Sequence, residues 1–513
     1  MPAAKIKKIV ILGGGSAGWM TAAALGKLSR QMNIQVQLIE SDEIGTVGVG
    51  EATLTALQGF NRLLGIDENE FMRETQATFK LGIKFVNWDE IGNAYHHAFG
   101  VSGKPMGSHA KFYQYWLKLR AVGKAESYEH YSLNAVASED KKFMRAFDAG
   151  NSPLSGLDHG FHIDAGLYGQ YLRRLAENWG VKRSQGKVKQ VRQHNNGFIR
   201  AIELEDGTEH EADFFVDCSG FNALLIGETL QTEFEDWSHW LPCDRAITVQ
   251  TQSTQAPWPY TQATAQKAGW QWRIPLQHRV GNGHVYSSQY MSDEEARDIL
   301  LSNVEGALLT EPRVIHFKTG YRKTSWHKNC LAIGLSSGFI EPLESTSLHL
   351  VQSAIEQLFK FFPNMDFEQA DIDEYNRQTN YKIECIRNLL ITHYCVTKRS
   401  DSDFWDYCRT MSVPPEVTQK IEQYQQNGRI FRFNDNMYDS ISWFQVMNGQ
   451  GLKPLGYDPL VDLIPEEKIE RELNNVLSVI RKSADYMPSH QDFITQHCKA
   501  NALQFDDDKQ LKN

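Results

Sequence analysis

The residues of this chain best placed to do chemistry are a glutamate, a lysine and a pair of tryptophans. Glu344 stands in Glu341-Pro342-Leu343-Glu344-Ser345-Thr346-Ser347, directly before a segment in which Leu348, Val351, Ile355, Leu358 and Phe362 recur at helical steps until Pro363 closes the run. A helix is therefore predicted from near Thr346. Its free N–H groups and positive dipole end make an anion site, to which the hydroxyls of Ser345 to Ser347 add donors; routine N-capping by serine and threonine is the simpler account of the same spacing. A carboxylate beside an anion site is electrostatically unfavourable unless it has a task, which makes Glu344 a general-base candidate. Lys80 lies in a segment where Phe79, Ile83 and Val86 mark an apolar face, and from spacing alone a lysine there snorkels to solvent. In Trp270-Gln271-Trp272-Arg273-Ile274-Pro275 an extended backbone points both indoles the same way, as a rigid aromatic wall, with Pro275 ending the pairing. His96-His97-Ala98-Phe99 reads as a metal pair or as the aromatic wall of a pocket. No third ligand at zinc spacing and no H-E-x-x-H motif accompany it, so no metal site is expected.

The elements that must position these groups begin with a buried strand over residues 6–12, the turn Gly13-Gly14-Gly15-Ser16-Ala17-Gly18, and an alanine-rich helix over residues 19–28. Gly13, Gly15 and Gly18 have separate mechanical roles: a tight turn, close approach of backbone to a pyrophosphate, and close helix packing. A second strand over residues 34–39 leads to Glu40, which follows Gly18 at close to the ~20 residues expected of a carboxylate that binds a ribose hydroxyl. The motif alone does not separate NAD from FAD. Residues 48–53, Gly48-Val49-Gly50-Glu51-Ala52-Thr53, allow backbone amides to approach a ring or a phosphate, or form a plain turn with a surface carboxylate. Phe214-Phe215-Val216-Asp217 and Leu331-Ala332-Ile333-Gly334 read as further buried strands, so the nucleotide module is assembled from segments distant in sequence. Residues 251–268, polar and containing Pro257 and Pro259, read as a loop. From about residue 364 the patterns are mostly helical, as in Ile469, Leu473, Val476 and Ile480, and the tail from Asp506 is charged and frayed.

Composition narrows the class. The chain has 513 residues, 41% hydrophobic and 23% charged, enough for a large core and two or three sub-structures. A net charge of -10 and the absence of a basic run argue against nucleic acid as the main partner. No apolar run approaches the ~20 residues that span a bilayer, so no membrane association and a cytoplasmic location are expected. Seven scattered cysteines without a C-x-x-C pair suggest neither disulfides nor zinc.

Taken together, residues 13–20, residues 48–53, Lys80, Trp270 to Pro275 and Gly338-Phe339-Ile340-Glu341-Pro342-Leu343-Glu344-Ser345-Thr346 resemble the flavin-dependent tryptophan halogenases, in order over roughly residues 5–360. The resemblance implies an α/β fold: an FAD-binding, Rossmann-like core of the flavin-monooxygenase type with a largely α-helical C-terminal substrate-binding part. The corresponding division is 1–363 for the FAD module and 364–513 for the helical cover. It also implies a reaction in which reduced FAD and O2 oxidise chloride or bromide, and the hypohalous acid travels through a tunnel to an electron-rich arene. In that scheme the cofactor residues are Gly13, Gly15, Ser16, Ala17, Gly18, Glu40, Gly50, Glu51, Ala52, Thr53, Gly334 and Leu335, and the halide sits at Thr346 and Ser347. Lys80 holds or carries the electrophilic halogen, and Glu344 takes the proton of the cationic intermediate. The substrate side is lined by His97, Phe99, Trp270, Trp272, Ile274, Pro275, Ser345, Tyr438 and Trp443.

Departures from the family pattern sharpen the expectation. Ser347 replaces the glycine common in the halide loop. Alignment over residues 427–454 puts Met437 and Tyr438 where tryptophan-specific members have the Phe-Trp pair that sandwiches the indole, and no tyrosine pair with a matching glutamate precedes them. A pocket without that amino-acid clamp is expected to prefer indole or a substituted indole to free tryptophan. A single dinucleotide fingerprint implies that a separate flavin reductase supplies reduced FAD, and a homodimer is one expected assembly. The competing readings are an FAD-dependent aromatic monooxygenase that hydroxylates, and a flavoprotein retaining FAD as a structural ligand.

Overall fold

A computed structural model of the chain describes residues 4–43, 50–107, 109–432 and 437–502. Gly48, Val49, the 433–436 stretch of the aligned pocket segment and the tail from Asp506 lie outside the described residues.

The first strand, Lys8–Leu12, is buried because it is apolar on both faces, and it pairs in parallel with Gln35–Glu40 on one side and Phe214–Asp217 on the other. Lys182–Gln185 and Cys330–Ala332 extend this sheet outward, and the short strand Trp326–His327 closes one edge. The strand order reverses at Lys8–Leu12, which places the glycine turn at the topological switch point, where doubly wound sheets receive nucleotides. The helix that follows runs over Ser16–Met32, longer at both ends than its alanine-rich centre indicated. An added Cβ on Gly18 would lie 1.8 Å from the Gly13 carbonyl oxygen, so only glycine lets helix and turn pack this closely.

The second layer is a seven-stranded sheet, in the order Arg313–His316, Arg245–Thr251, Val280–Tyr286, Gly269–Pro275, Thr261–Gln266, Gly82–Val86, Ala94–Ala98. The tryptophan segment is the strand Gly269–Pro275 at its centre, and Pro275 is its last residue. Residues 251–268, expected as a loop, contain the strand Thr261–Gln266 instead. The physical reason is size: Ala263 stands opposite Trp272 and Ala265 opposite Trp270, so two small, buried residues make room for two indoles. Gly283 does the same from the other side. It pairs with Trp272, and an added Cβ would fall 2.1 Å from the indole Cζ2. Gly283→Ala is therefore expected to destabilise the protein by about 1–3 kcal/mol through overpacking, read as a lower apparent melting temperature; an unchanged melting temperature would show that Trp272 swings freely.

From Gln369 onward the described chain is mostly helical, with Gln369–Cys395, Pro415–Asn427, Ser440–Gly449 and Glu466–Tyr486 as its main helices. The last buries Ile469, Leu473, Val476 and Ile480 along one stripe. Among the described residues no helix is long and apolar enough to cross a membrane.

Candidate active site

Two short strands carry the lysine. Thr78–Lys80 and Gly82–Val86 replace the single apolar face that the spacing of Phe79, Ile83 and Val86 suggested, and the turn between them drives the Lys80 side chain inward. Lys80 is fully buried, so it does not snorkel to solvent as spacing alone suggests. Its ammonium donates to Ser345 Oγ at 2.8 Å and to the Thr53 carbonyl at 3.1 Å, and it lies 5.1 Å from the centroid of the Phe99 ring. Burial pushes Lys80 down to about 7, against the opposing pull of Glu344.

Glu344 occupies the turn Pro342–Glu344, just ahead of the helix Ser347–Lys360. Ser345, between them, takes a left-handed conformation (φ 59°), so that the chain reverses with its hydroxyl facing Lys80. Only 1% of Glu344 is exposed, and two histidines hold its carboxylate. His97 Nδ1 donates to both oxygens at 2.9 Å, and His393 Nε2 donates to Oε1 at 2.7 Å. Burial alone would raise its pKa, but the two imidazoles outweigh burial and hold it at about 2. Glu344 is thus a charged carboxylate buried in the protein interior.

The pair His96 and His97 belongs to the strand Ala94–Ala98, so the two rings point to opposite faces. His97 meets Glu344, whereas His96 turns to Glu129, Glu139 and the ring of Tyr260. That geometry rules out chelation of one ion by both. Tyr438 is buried with its ring centroid 6.2 Å from that of His97. Trp443, on the helix Ser440–Gly449, packs its indole under the Lys420 ammonium at 4.7 Å.

Thr346 caps the helix Ser347–Lys360 without a side-chain capping bond, and its hydroxyl is buried with no hydrogen-bond partner among the described residues. The routine capping account therefore does not explain Thr346. The first amides of any helix lack a carbonyl one turn back, so Thr346 and Ser347 present unsatisfied donors at this point.

The tryptophan strand joins this buried site to the nucleotide segment. At one end Ile274 Cγ2 would lie 3.5 Å from a Cβ on Gly50, the start of the strand Gly50–Ala52. At the other end Trp270 neighbours Glu341, a fully buried carboxyl raised to about 7 by burial against the influence of Tyr394, Trp270 and Cys243. The two indoles stand side by side, centroids 6.0 Å apart and planes at 55°. Pro275 accepts the Thr78 hydroxyl through its carbonyl at 2.6 Å, fixing the strand end two residues from Lys80.

The nucleotide residues also come together. Gly15 has open space where a Cβ would stand, as close approach of a pyrophosphate requires, and Ser16 begins the helix that faces it. Glu40 lies at the end of its strand against Gly14, its carboxylate accepting from Arg183 and, at 3.3 Å, from the Trp19 indole. Gly334, followed by Leu335 in the short turn Gly334–Ser336, abuts Ala17: a Cβ there would lie 2.7 Å from the alanine methyl. Glu51 and Ala52 are half-buried beside Thr53, and burial pushes the Glu51 carboxyl up to about 7. This cradle fits a dinucleotide cofactor; FAD, when bound there, supplies the redox chemistry. Thr53 ties the cradle to the buried lysine, because the carbonyl that receives Lys80 belongs to a residue expected at the cofactor.

Sequence reasoning missed His393. It lies in Ile391-Thr392-His393-Tyr394, in the last turn of a long helix, and nothing in its spacing distinguishes it from a core histidine.

The tryptophan halogenase family model matches residues 8–466. A flavin-dependent halogenase from Xanthomonas campestris is 44% identical, with a TM-score of 0.94 over 97% of this chain and 100% of that one. A flavin-dependent halogenase from Brevundimonas sp. BAL3 is 43% identical, with a TM-score of 0.92 over 96% and 99%. The tryptophan 7-halogenase of Lentzea aerocolonigenes is 32% identical over 96% of this chain and 99% of its own. These matches do not favour the hydroxylase alternative. With its Rossmann-like nucleotide sheet, its tryptophan strand and its buried lysine and glutamate, the chain belongs to the tryptophan halogenase family and is a flavin-dependent halogenase.

Proposed function

We propose that the protein uses reduced FAD, O2 and chloride or bromide to halogenate an electron-rich arene, indole or a substituted indole rather than free tryptophan. The observation that carries this reading is the burial of Lys80, bonded to Ser345 Oγ, beside Glu344, bonded to His97 and His393, which leaves a buried amine near neutrality next to a carboxylate that stays charged. A neutral Lys80 amine can accept electrophilic halogen from hypohalous acid, with loss of water, while its ammonium form can donate a hydrogen bond to the same acid. Glu344 takes the proton that the ring carbon loses when aromaticity returns. The halide is held by the amides of Thr346 and Ser347 and by the Thr346 hydroxyl, which has no other partner among the described residues. Trp270 and Trp272 keep the arene away from the flavin, so that the small halide is the nucleophile within reach. His97, Phe99 and Tyr438 form the aromatic side of the arene pocket.

Reduced flavin is supplied by a separate reductase in this reading, which the single dinucleotide fingerprint of the sequence supports. The test is to incubate the protein with a flavin reductase, NADH, FAD, a panel of indoles, and either bromide or chloride, and to read products by mass spectrometry. Halogenated arene that appears only with halide is expected. Hydroxylated arene without halide would overturn the reading. Turnover of indole is expected to exceed that of tryptophan, since the aligned segment lacks the tyrosine pair and glutamate that clamp an amino acid. Faster turnover of tryptophan in steady state would refute the unclamped pocket.

A further inference from the structure

We infer that His393, fixed by Tyr95, is a positioning residue that keeps Glu344 charged and aimed at the substrate. The inference rests on the reading of Glu344 as the proton acceptor. A carboxylate out of contact with water needs donors in compensation, and an incomplete set leaves it protonated. Of the two imidazoles that reach Glu344, His97 comes from the strand that faces the arene pocket. His393 comes from behind, on the helix Gln369–Cys395, and is wholly buried.

The surroundings of His393 determine how its ring is oriented and protonated. Nε2 faces a carboxylate at 2.7 Å and must carry a hydrogen, so a neutral ring leaves Nδ1 as an acceptor. The Tyr95 hydroxyl meets Nδ1 at 3.1 Å and supplies that hydrogen. Burial holds His393 below its usual pKa against the pull of Glu344, consistent with a neutral ring. Phe85 stacks on the ring at 4.6 Å and Trp88 meets it edge-on at 5.7 Å, which fixes its plane. Gln450 Nε2 donates to the His393 carbonyl at 3.0 Å, anchoring the end of the helix. Base, histidine and a third group that orients the histidine thus follow the logic of a catalytic triad, with the carboxylate as the acting member.

Glu341 is the internal comparison. It is as buried as Glu344, but its strongest partner is a single tyrosine hydroxyl, Tyr394 at 2.6 Å, and its carboxyl sits at about 7. Glu344, with two imidazole donors, sits at about 2. Without His393, Glu344 moves toward the range of Glu341. The charged and titratable groups that bear on the cluster are His97, Lys80 and Tyr438 around Glu344, His97 and Tyr95 around His393, and Asp89 and Glu129 near Tyr95.

The experiment compares wild type, His393→Phe, His393→Gln and Tyr95→Phe, each supplied with reduced FAD, bromide and indole, between pH 5.5 and 8.5. In His393→Phe the acid limb of kcat is expected to climb toward neutrality, so that turnover at pH 6 falls about tenfold relative to pH 8, with KM for indole unchanged. Tyr95→Phe, which removes one hydroxyl, moves the limb the same way by less. His393→Gln, which keeps a donor, restores it. A limb that stays in place in both His393→Phe and Tyr95→Phe overturns the inference, even if overall rates fall. A second readout is independent of turnover: the infrared carbonyl band of a protonated carboxylic acid, assigned by its disappearance in an added Glu344→Gln. Its appearance near neutral pH in His393→Phe supports the inference whether or not any arene is halogenated, and its absence overturns it. Failure of wild type to halogenate any arene counts against the proposed function alone.

Discussion

Lys80→Ala is expected to abolish halogenation while flavin oxidation continues. The ammonium bonds Ser345 Oγ and the Thr53 carbonyl and faces the Phe99 ring, and alanine removes both its hydrogen bonds and its nucleophilic nitrogen. Loss of a preorganised donor in a site closed to water lowers turnover by about 10²–10³, and loss of halogen transfer lowers it further. Mass spectrometry of product together with the rate of reduced-flavin consumption separates the two effects. Substantial halogenated product from Lys80→Ala would remove the lysine from the mechanism. A second consequence follows from linkage. Lys80 stands at about 7 in the folded protein against an ordinary value of 10.5, so the unfolded chain binds one more proton between those limits. Stability contributed by this group rises with pH from about 7 to 10.5, and the full penalty is present below 7. Lys80→Met, which fills the space without the charge, is expected to be at least as stable as wild type at pH 7 and yet inactive. A large fall in melting temperature would show that the lysine supports the fold rather than the reaction.

Glu344→Gln is expected to lower product formation by about 10²–10⁴, the range for a positioned general base, with hypohalous acid still formed. Glutamine keeps the shape and the size of the side chain. It cannot take a proton, and it presents an amide to two imidazoles that now lack a carboxylate. Hypohalous acid trapped in solution at the wild-type rate, with little halogenated arene, is the expected signature. Wild-type rates of arene halogenation would show that water or His97 removes the proton. The depressed pKa also ties Glu344 to stability. Its contribution is complete above the ordinary glutamate value of 4.5 and is lost as pH falls toward about 2, so acid unfolding is expected to occur at higher pH in Glu344→Gln.

The local readings that succeeded are those in which the residues themselves carry the conformation. Ile9 to Leu12 are apolar without alternation, which only a doubly covered strand accommodates. Gly13, Gly15 and Gly18 are legible because each removes a Cβ that the fold cannot hold or that a ligand would meet. Residues 261–266 failed for the opposite reason. Thr-Gln-Ala-Thr-Ala-Gln has low apolar content, and its strand exists because the indoles of Trp270 and Trp272 need small partners across the ladder. That information lies in the hairpin 261–275 as a unit and not in residues 261–266 alone.

By itself the sequence determined the glycine turn and its strands, the extended tryptophan segment, the helix beginning beside Thr346, and the family to which these together belong. The tertiary structure decided the state of the reactive groups. Lys80 reads as a snorkelling lysine until the turn after Thr78–Lys80 closes over it, and Glu344 reads as a misplaced charge until His97 and His393 arrive from a distant strand and a distant helix. The reason is physical: spacing along a chain reports which faces of an element are apolar, whereas the charge on a buried group depends on desolvation and on donors supplied by other elements. Those quantities exist only once the sheets and the C-terminal helices have packed.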